Sequence, residues 1–204
     1  HSLNNYCSWL VPALVGAFTP LLVMTGTHYG LIPIGINNRM TMGYDTLIYP
    51  GMLGSNVAQG GAALAVAFKS KKSEIKQLAS SAGITAVCGI TEPALYGINI
   101  RFKTPLYAAM IGGGVGGFLM GILNVKNYSG GSPGFLTLPS YLGGDTLTSF
   151  YFACAGAAVS VVIAFIISYV LYKDPQDEDG KTSAKDQPQA SSNTKTVLVA
   201  APLT

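Results

Sequence analysis

Glu92 is the only charged residue between Leu78 and Ile100, in a stretch that is otherwise apolar, small or uncharged. A carboxylate held in lipid costs at least ~2.5–3.5 kcal/mol and usually marks the path of a substrate or an ion. The alternative is a structural carboxylate that accepts hydrogen bonds from backbone N–H groups at a turn. We interpret Glu92 as a functional residue, provided that the rest of the sequence places this stretch in a membrane.

Other polar side chains occur in similar surroundings. His28 follows an apolar stretch and sits among turn-forming residues, so that it is equally consistent with a site and with a membrane interface. Asn56 and Gln59 carry amides that suit hydroxyl groups, although bonding to a neighbouring helix explains them as easily. Arg39 and Asp45 are predicted to be solvated loop residues.

The composition indicates a membrane protein with a polar tail. Only 10% of the 204 residues are charged, against about 25% in an average soluble domain. Five of the nine acidic residues lie beyond Tyr172. No basic patch with interleaved aromatic residues suggests nucleic acid. The three cysteines are far apart and match neither a zinc site nor a disulfide framework, and no other metal or cofactor is predicted.

Three uncharged stretches, residues 46–68, 105–125 and 148–172, are long enough to cross the roughly 30 Å hydrocarbon core. Lysine and arginine residues near their ends favour the cytoplasm. If these basic residues lie in the cytoplasm, the three spans cross the membrane in alternating directions. The residues concerned are Lys69, Lys71, Lys72, Lys76, Arg101, Lys103 and Lys173.

This orientation leaves both flanks of residues 78–100 in the cytoplasm, and 23 residues are too few for two crossings. We therefore predict a re-entrant hairpin with Glu92 near its tip. Residues 9–44 are either a kinked span or a second hairpin entering from outside. In the latter case its tip falls near His28 and meets the Glu92 tip, a recurring transporter design.

Glycines mark two further segments. In the run from Gly112 to Gly117, together with Gly121, small residues four apart favour close helix packing. A phosphate-binding loop is the competing interpretation, but no lysine followed by serine or threonine accompanies the run. Residues 127–145, with Ser-Gly-Gly-Ser-Pro-Gly, are predicted to form an external connection.

The tail divides into two parts. Residues 174–195 are rich in Asp, Gln, Ser, Lys and Pro, which predicts a flexible, disordered linker. Residues 196–204, Thr-Val-Leu-Val-Ala-Ala-Pro-Leu-Thr, resemble a first β-strand followed by a turn.

Two motifs carry a family resemblance. Gly89-Ile-Thr-Glu-Pro93, followed by Ala-Leu-Tyr-Gly, and Gly26-Thr-His-Tyr-Gly-Leu-Ile-Pro-Ile34 resemble the membrane-spanning enzyme IIC of bacterial phosphotransferase sugar transporters, glucose superfamily. Two features are more similar to β-glucoside transporters than to those for sucrose or trehalose: the His-Tyr-Gly-Leu-Ile-Pro context, and Tyr44-Asp45 leading to Asn56-Val-Ala-Gln-Gly-Gly61. Residues 196–204 resemble the opening of a glucose-type IIA domain.

The resemblance implies an all-α polytopic membrane fold with re-entrant hairpins. Residues 1–173 would be the C-terminal half of the sugar-translocating domain, 174–195 a linker, and 196–204 the start of the IIA-like domain. The intact protein would be a homodimer in the bacterial cell membrane with a cytoplasmic tail. Its partners would be the lipid bilayer, a β-glucoside, the IIA domain and a phosphorylated IIB domain. The fragment alone is not expected to be active.

The resemblance also assigns roles. Glu92 becomes the catalytic residue, the base or orienter for the sugar 6-hydroxyl that attacks the phosphocysteine of IIB. His28 and Glu92 become ligands of the sugar hydroxyl groups. Thr91, Asn56 and Gln59 complete the predicted set of substrate-binding residues. By residue type alone, Tyr29, Tyr96 and Phe102 either stack on a sugar ring or serve in packing. The alternative function is a proton-coupled sugar symporter in which His28 and Glu92 relay protons, but a linker into a IIA-like strand has no use there.

Overall fold

The computed structural model describes residues 9–144 and 147–174, and every regular element in these ranges is helical. The α-helices are α1 (Leu10–Met24), α2 (Leu31–Met42), α3 (Tyr49–Lys69), α4 (Ser73–Cys88), α5 (Glu92–Ala94), α6 (Ile100–Phe102), α7 (Thr104–Ile122) and α8 (Thr148–Leu171). A π-helical segment, Leu95–Asn99, joins α5 to α6, and 3-10 turns cover Thr27–Gly30 and Phe135–Tyr141. The all-α prediction is confirmed for these residues. The predicted linker, apart from Asp174, and the predicted strand lie outside the described residues.

Helix α3 is central, because α1, α4, α7 and α8 all pack against it. It is buried along almost its whole length. Helices α7 and α8 are long and apolar enough to cross a membrane, in agreement with the predicted spans 105–125 and 148–172. Helix α3 corresponds to the predicted span 46–68 but is less apolar, since Ser55, Asn56 and Gln59 interrupt it. Its neighbours rather than lipid surround these polar groups.

Glycines allow α7 to approach its neighbours closely. A Cβ atom at Gly113 would collide with the backbone carbonyl of Gly16 on α1, and one at Gly117 with the carbonyl of Pro12. On another face of α7, a Cβ atom at Gly116 would collide with the side chain of Ser160 on α8. The glycine run therefore serves helix packing, as its four-residue spacing predicts.

The bundle has two ends, which we name after residues that lie there. At the Lys69 end, the Lys69 ammonium donates to the carbonyl of Tyr169 over 2.5 Å, which joins the last turns of α3 and α8. At the Asp45 end, the backbones of Asp45 and Asn127 exchange two hydrogen bonds of 2.8 Å, which joins the loop before α3 to the loop after α7.

Helix α4 and the segment Glu92–Phe102 form a helical hairpin, here called the Glu92 hairpin. Helix α4 ends at Gly89, whose φ of 115° suits a residue without a side chain. Both arms reach the Lys69 end: Ile75 and Phe102 pack with Tyr172, and the Phe102 and Tyr172 ring centroids are 5.2 Å apart. The chain thus leaves that end, turns near Glu92 and returns to it.

The chain through α1 and α2 starts and finishes at the Asp45 end instead. A Cβ atom at Gly121, near the last turn of α7, would lie 2.6 Å from the Cα atom of Trp9, so α1 begins at the Asp45 end. Arg39 near the end of α2 donates to the Asn127 side chain over 3.2 Å, so α2 returns to that end. The turn between them, Thr27–Gly30, is here called the His28 turn. A single kinked span over residues 9–44 does not describe this path.

Asp45 is fully buried, and the prediction that it is a solvated loop residue is wrong. Its carboxylate accepts hydrogen bonds from the backbone N–H groups of Ile48 (3.0 Å) and Tyr49 (2.7 Å), and from the Asn38 amide (2.7 Å). It therefore satisfies N–H groups at the start of α3 that have no partner within the helix. The sequence signal for this role is an aspartate five residues before a proline in the first helical turn.

Candidate functional site

The His28 turn and the Glu92 hairpin meet at one cavity of about 350 Å³. Five parts of the chain line it: α1, the His28 turn with the start of α2, α3, the tip of the Glu92 hairpin, and the loop after α7. The lining residues are Thr19, Val23, His28, Tyr29, Ile32, Tyr49, Met52, Asn56, Gly89, Thr91, Glu92, Gly131, Ser132 and Pro133.

Glu92 begins the returning arm of its hairpin, directly after the turn that ends α4. Its side chain is exposed to the cavity, whereas Thr91 beside it is buried, with 5% of its surface exposed. Within the described part of the chain, no hydrogen bond or salt bridge to the Glu92 carboxylate is present. Backbone N–H groups of the turn therefore do not hold the Glu92 carboxylate, as the alternative interpretation required.

His28 lies opposite the hairpin tip in its own turn. Its imidazole Nδ1 atom is buried and has no hydrogen-bond partner among the described residues. The imidazole ring lies 4.2 Å from the Tyr29 ring at an angle of 38°. The two predicted site residues Glu92 and His28 thus reach one cavity from two separate turns.

Asn56 and Gln59 have different positions although both lie on α3. Asn56 lines the cavity, and its amide donates to the carbonyl of Pro133 over 2.7 Å. Gln59 does not line it: the side chain is fully buried, both amide atoms lack partners, and Asn99 of the π-helical segment donates to its backbone carbonyl over 3.4 Å. Gln59 follows Asn56 by three residues, so it lies about 4.5 Å further along the helix axis towards the Lys69 end. The structure brings four of the five predicted residues together and leaves Gln59 outside.

The loop after α7 supplies lining residues that the sequence analysis missed. Ser132 donates to the backbone carbonyl of Gly89 over 2.8 Å, and Pro133 accepts from Asn56. A Cβ atom at Gly134 would lie 2.5 Å from the carbonyl of Cys88, so the loop backbone packs directly on the hairpin tip. The dense glycines of this loop were the available signal, because glycine permits such close backbone approach.

The cavity suits a neutral ligand rich in hydroxyl groups. A carboxylate, an imidazole, an amide and the hydroxyl groups of Thr19, Thr91 and Ser132 supply both hydrogen-bond donors and acceptors. Aromatic and aliphatic side chains line the remainder. Among the described residues, no cluster of three or more histidine, cysteine or acidic side chains is placed to hold a metal ion.

Comparisons with known proteins identify relatives of the chain. Residues 1–114 match the family described as "Phosphotransferase system, EIIC". The chain is 35% identical over 187 residues to the "PTS system arbutin-, cellobiose-, and salicin-specific EIIBC component" of Escherichia coli (strain K12), covering 91% of this chain and 39% of that protein. It is 39% identical over 168 residues to the "PTS system beta-glucoside-specific EIIBCA component" of Bacillus subtilis (strain 168), covering 82% and 27%.

A sucrose-specific EIIBC component from the same Bacillus strain is 35% identical over 179 residues, covering 87% of this chain and 38% of that protein. Overall identity therefore separates β-glucoside from sucrose relatives only weakly. The chain spans between about a quarter and two fifths of the length of these curated relatives. No solved structure matches it.

Proposed function

Because the chain belongs to the enzyme IIC family of the phosphotransferase system, we propose that it binds a β-glucoside and carries it inward while the sugar is phosphorylated on its 6-hydroxyl. The phosphoryl donor is the phosphocysteine of a IIB domain, which receives its phosphoryl group from a IIA domain. The observation that carries the proposal is the unpartnered Glu92 carboxylate in a hydroxyl-binding cavity opposite His28. The names of the β-glucoside relatives support the substrate class.

The proposed chemistry assigns Glu92 to the proton. The oxygen of the sugar 6-hydroxyl attacks phosphorus, the phosphorus–sulfur bond breaks, and the cysteine leaves as a thiolate. The hydroxyl proton passes to the Glu92 carboxylate and later to water. Phosphoryl transfer depends mainly on positioning of the nucleophile and on charge stabilisation, and a carboxylate within hydrogen-bond reach of the hydroxyl contributes to positioning. His28, Thr91 and Asn56 bind the other hydroxyl groups.

The proposed topology is a multi-pass protein of the bacterial cell membrane. Helices α3, α7 and α8 cross the bilayer, and the Lys69 end faces the cytoplasm. Two features support this orientation. The basic residues before and after the Glu92 hairpin are next to helices that start or finish at the Lys69 end. Both arms of the hairpin also reach the Lys69 end. The Glu92 hairpin would then enter from the cytoplasm, and α1 with α2 from outside. The intact protein would act as a homodimer.

Substitution of Glu92 by glutamine in the intact transporter tests the proposal. The amide keeps the shape but loses the charge and cannot take a proton, so we expect β-glucoside binding to weaken about 10- to 100-fold. Phosphorylation should fall further than binding, because the base acts only in the chemical step. Titration calorimetry measures binding, and transfer from phosphorylated IIB measures phosphorylation.

Glu74→Gln is the matched control, since Glu74 is exposed on α4 and does not line the cavity. It should behave like the parent protein in both assays. If Glu92→Gln also binds and phosphorylates like the parent while remaining folded, Glu92 is not the catalytic residue. Recovery of accumulated sugar in its free form would instead point to symport.

A further inference from the structure

Two carboxamide side chains are buried between α3 and the returning arm of the Glu92 hairpin. Gln59 on α3 and Asn99 in the π-helical segment are both fully buried. The Asn99 amide donates to the backbone carbonyl of Gln59 over 3.4 Å, which is a long and therefore weak hydrogen bond. Both amide atoms of Gln59 and the Oδ1 atom of Asn99 have no partner among the described residues. Neither residue lines the cavity, so the pair lies outside the site described above.

Hydrogen bonding by these two amides adds little to the stability of the fold. A buried polar group without a partner retains the cost of its desolvation, whereas two apolar side chains of similar size would bury the same surface without that cost. Buried amides have another use, because a single one can fix the register of two packed helices at a cost in stability. We therefore ask what the register of the returning arm against α3, meaning its position along the helix, controls.

The contact around the two amides is smooth. It is formed by α3, α4 and the returning arm, and six of its buried residues are alanines: Ala63, Ala67, Ala79, Ala82, Ala86 and Ala94. Interlocking ridges of side chains normally determine how two helices sit against each other, and ridges made of methyl groups are shallow. The amides of Gln59 and Asn99 are therefore well suited to define how far the arm lies along α3.

The same arm carries Glu92 at its other end. Glu92 precedes Asn99 by seven residues, with the π-helical segment between them. The backbone N–H of Ile100 donates to the carbonyl of Leu95, five residues before it, so the segment is wound differently from an α-helix. The arm is hydrogen-bonded up to the hairpin tip, where the Leu95 N–H donates to the Thr91 carbonyl over 2.8 Å. A displacement of Asn99 along α3 would therefore also displace Glu92 in the cavity.

We propose that the amides of Gln59 and Asn99 are positioning groups for phosphoryl transfer: they hold the returning arm in one register and thereby place the Glu92 carboxylate at the sugar 6-hydroxyl. The inference rests on the proposed function, because it takes Glu92 to orient that hydroxyl. Misplacement of a reacting group by about 1 Å can slow a reaction by about 100-fold. Binding is less sensitive to the register of the arm, because His28 and Asn56 belong to other elements.

Phosphorylation of methyl β-glucoside by the intact transporter tests the inference. Asn99→Leu keeps a side chain of similar size that neither donates nor accepts a hydrogen bond. We expect transfer from phosphorylated IIB to bound sugar to slow about 10-fold, whereas the affinity measured by calorimetric titration should change by less than about threefold. A loss of affinity as large as the loss of rate would overturn the positioning role, because the pair would then support the cavity as a whole.

The double variant Gln59→Met/Asn99→Leu separates positioning from packing, and it also serves if Asn99→Leu does not fold. It removes both amides and leaves no unpartnered amide atom in the contact, so its thermal unfolding should occur at a temperature no lower than that of Asn99→Leu. Its rate of phosphoryl transfer should nevertheless stay about 10-fold below that of the parent. Recovery of the parent rate would show that any well-packed contact suffices, and would overturn the inference.

Ser168→Ala is the matched control. The Ser168 hydroxyl donates to the Ala62 carbonyl over 2.9 Å, so this change also removes a buried side-chain contact with the backbone of α3, but from α8 instead of the returning arm. It should transfer the phosphoryl group to bound sugar at the parent rate. The parent rate in Asn99→Leu would overturn this inference and leave the proposed function intact. Parent-like behaviour of Glu92→Gln would overturn the proposed function and, with it, this inference.

Discussion

Asn56 connects α3 to the loop that lines one side of the cavity. Its amide donates to the Pro133 carbonyl over 2.7 Å, in a position with 6% of the Asn56 surface exposed. A buried carbonyl that loses its donor retains the cost of its desolvation. Asn56 therefore helps to hold Pro133 at the cavity, together with the hydrogen bond from Ser132 to the Gly89 carbonyl.

We predict that Asn56→Ala weakens β-glucoside binding by about 10-fold, because the Asn56 amide is lost and the loop is held less firmly at the cavity. Titration calorimetry with methyl β-glucoside on the intact transporter measures the affinity. Asn37→Ala is the control, since Asn37 is exposed on α2 and lies outside the cavity. Parent-like binding by Asn56→Ala would show that the loop is held by other contacts.

Residue type and motif predicted four side chains that the structure brings to one cavity. A lone carboxylate in an apolar stretch indicated Glu92, and the motifs added His28, Thr91 and Asn56, which all line the cavity. Gln59 does not line it, and the sequence could not show this, because a helical pattern gives the face of a residue but not how far along the helix the cavity extends. Ser132 and Pro133 were missed because their position depends on how a long loop folds back onto the hairpin tip.

At the scale of elements, the long apolar stretches predicted helices well and their ends less well. The predicted span 105–125 is observed as Thr104–Ile122. It ends early because Asn124 takes a φ of 51°, which breaks the helix. The π-helical segment Leu95–Asn99 had no sequence signal that we could identify. Within it, Asn99 donates to the backbone carbonyl of Gln59 on α3 over 3.4 Å.

The contact between α1 and α7 gives the element-scale prediction. A methyl group at Gly113 would collide with the Gly16 carbonyl, so Gly113→Ala should force the helices apart and lower the free energy of unfolding by ~1–3 kcal/mol. At the next position, Gly114→Ala meets the Ala17 side chain at 3.2 Å. Alanine is also better than glycine in a helix by about 1 kcal/mol, so this change should be tolerated.

Denaturation of the purified intact transporter, followed by circular dichroism, measures both glycine variants. The pair is informative because composition and helix propensity change equally, and the two positions differ in how closely they approach α1. Equal stability of Gly113→Ala and Gly114→Ala would contradict the close approach of α1 and α7.

At the scale of the whole molecule, the two turns that carry Glu92 and His28 come from opposite ends of the bundle. The Glu92 hairpin starts and finishes at the Lys69 end, and the chain through α1 and α2 starts and finishes at the Asp45 end. Inverted pairs of broken helices that meet at a central site occur in several transporter folds. In a membrane, such irregular backbone is tolerated where protein or a wet cavity surrounds it, and here both turns border the same cavity.

This arrangement predicts the sides of the membrane on which two exposed serines lie. Ser73 begins α4 at the Lys69 end, next to the basic residues proposed to face the cytoplasm. Ser129 follows Asn127 at the Asp45 end. In the intact transporter with its native cysteines replaced, a cysteine at Ser129 should react with a membrane-impermeant maleimide added to whole cells. A cysteine at Ser73 should react only after the cells are permeabilised.

The two positions control for each other, because both are exposed serines and they lie at different ends of the bundle. Labelling of both from outside, or of neither until permeabilisation, would place both ends of α3 on one side of the membrane. In the proposed topology the chain crosses the membrane once between residues 73 and 129, because the Glu92 hairpin enters and returns on one side and α7 crosses. Same-side labelling would therefore mean that the Glu92 hairpin is not re-entrant or that α7 does not cross.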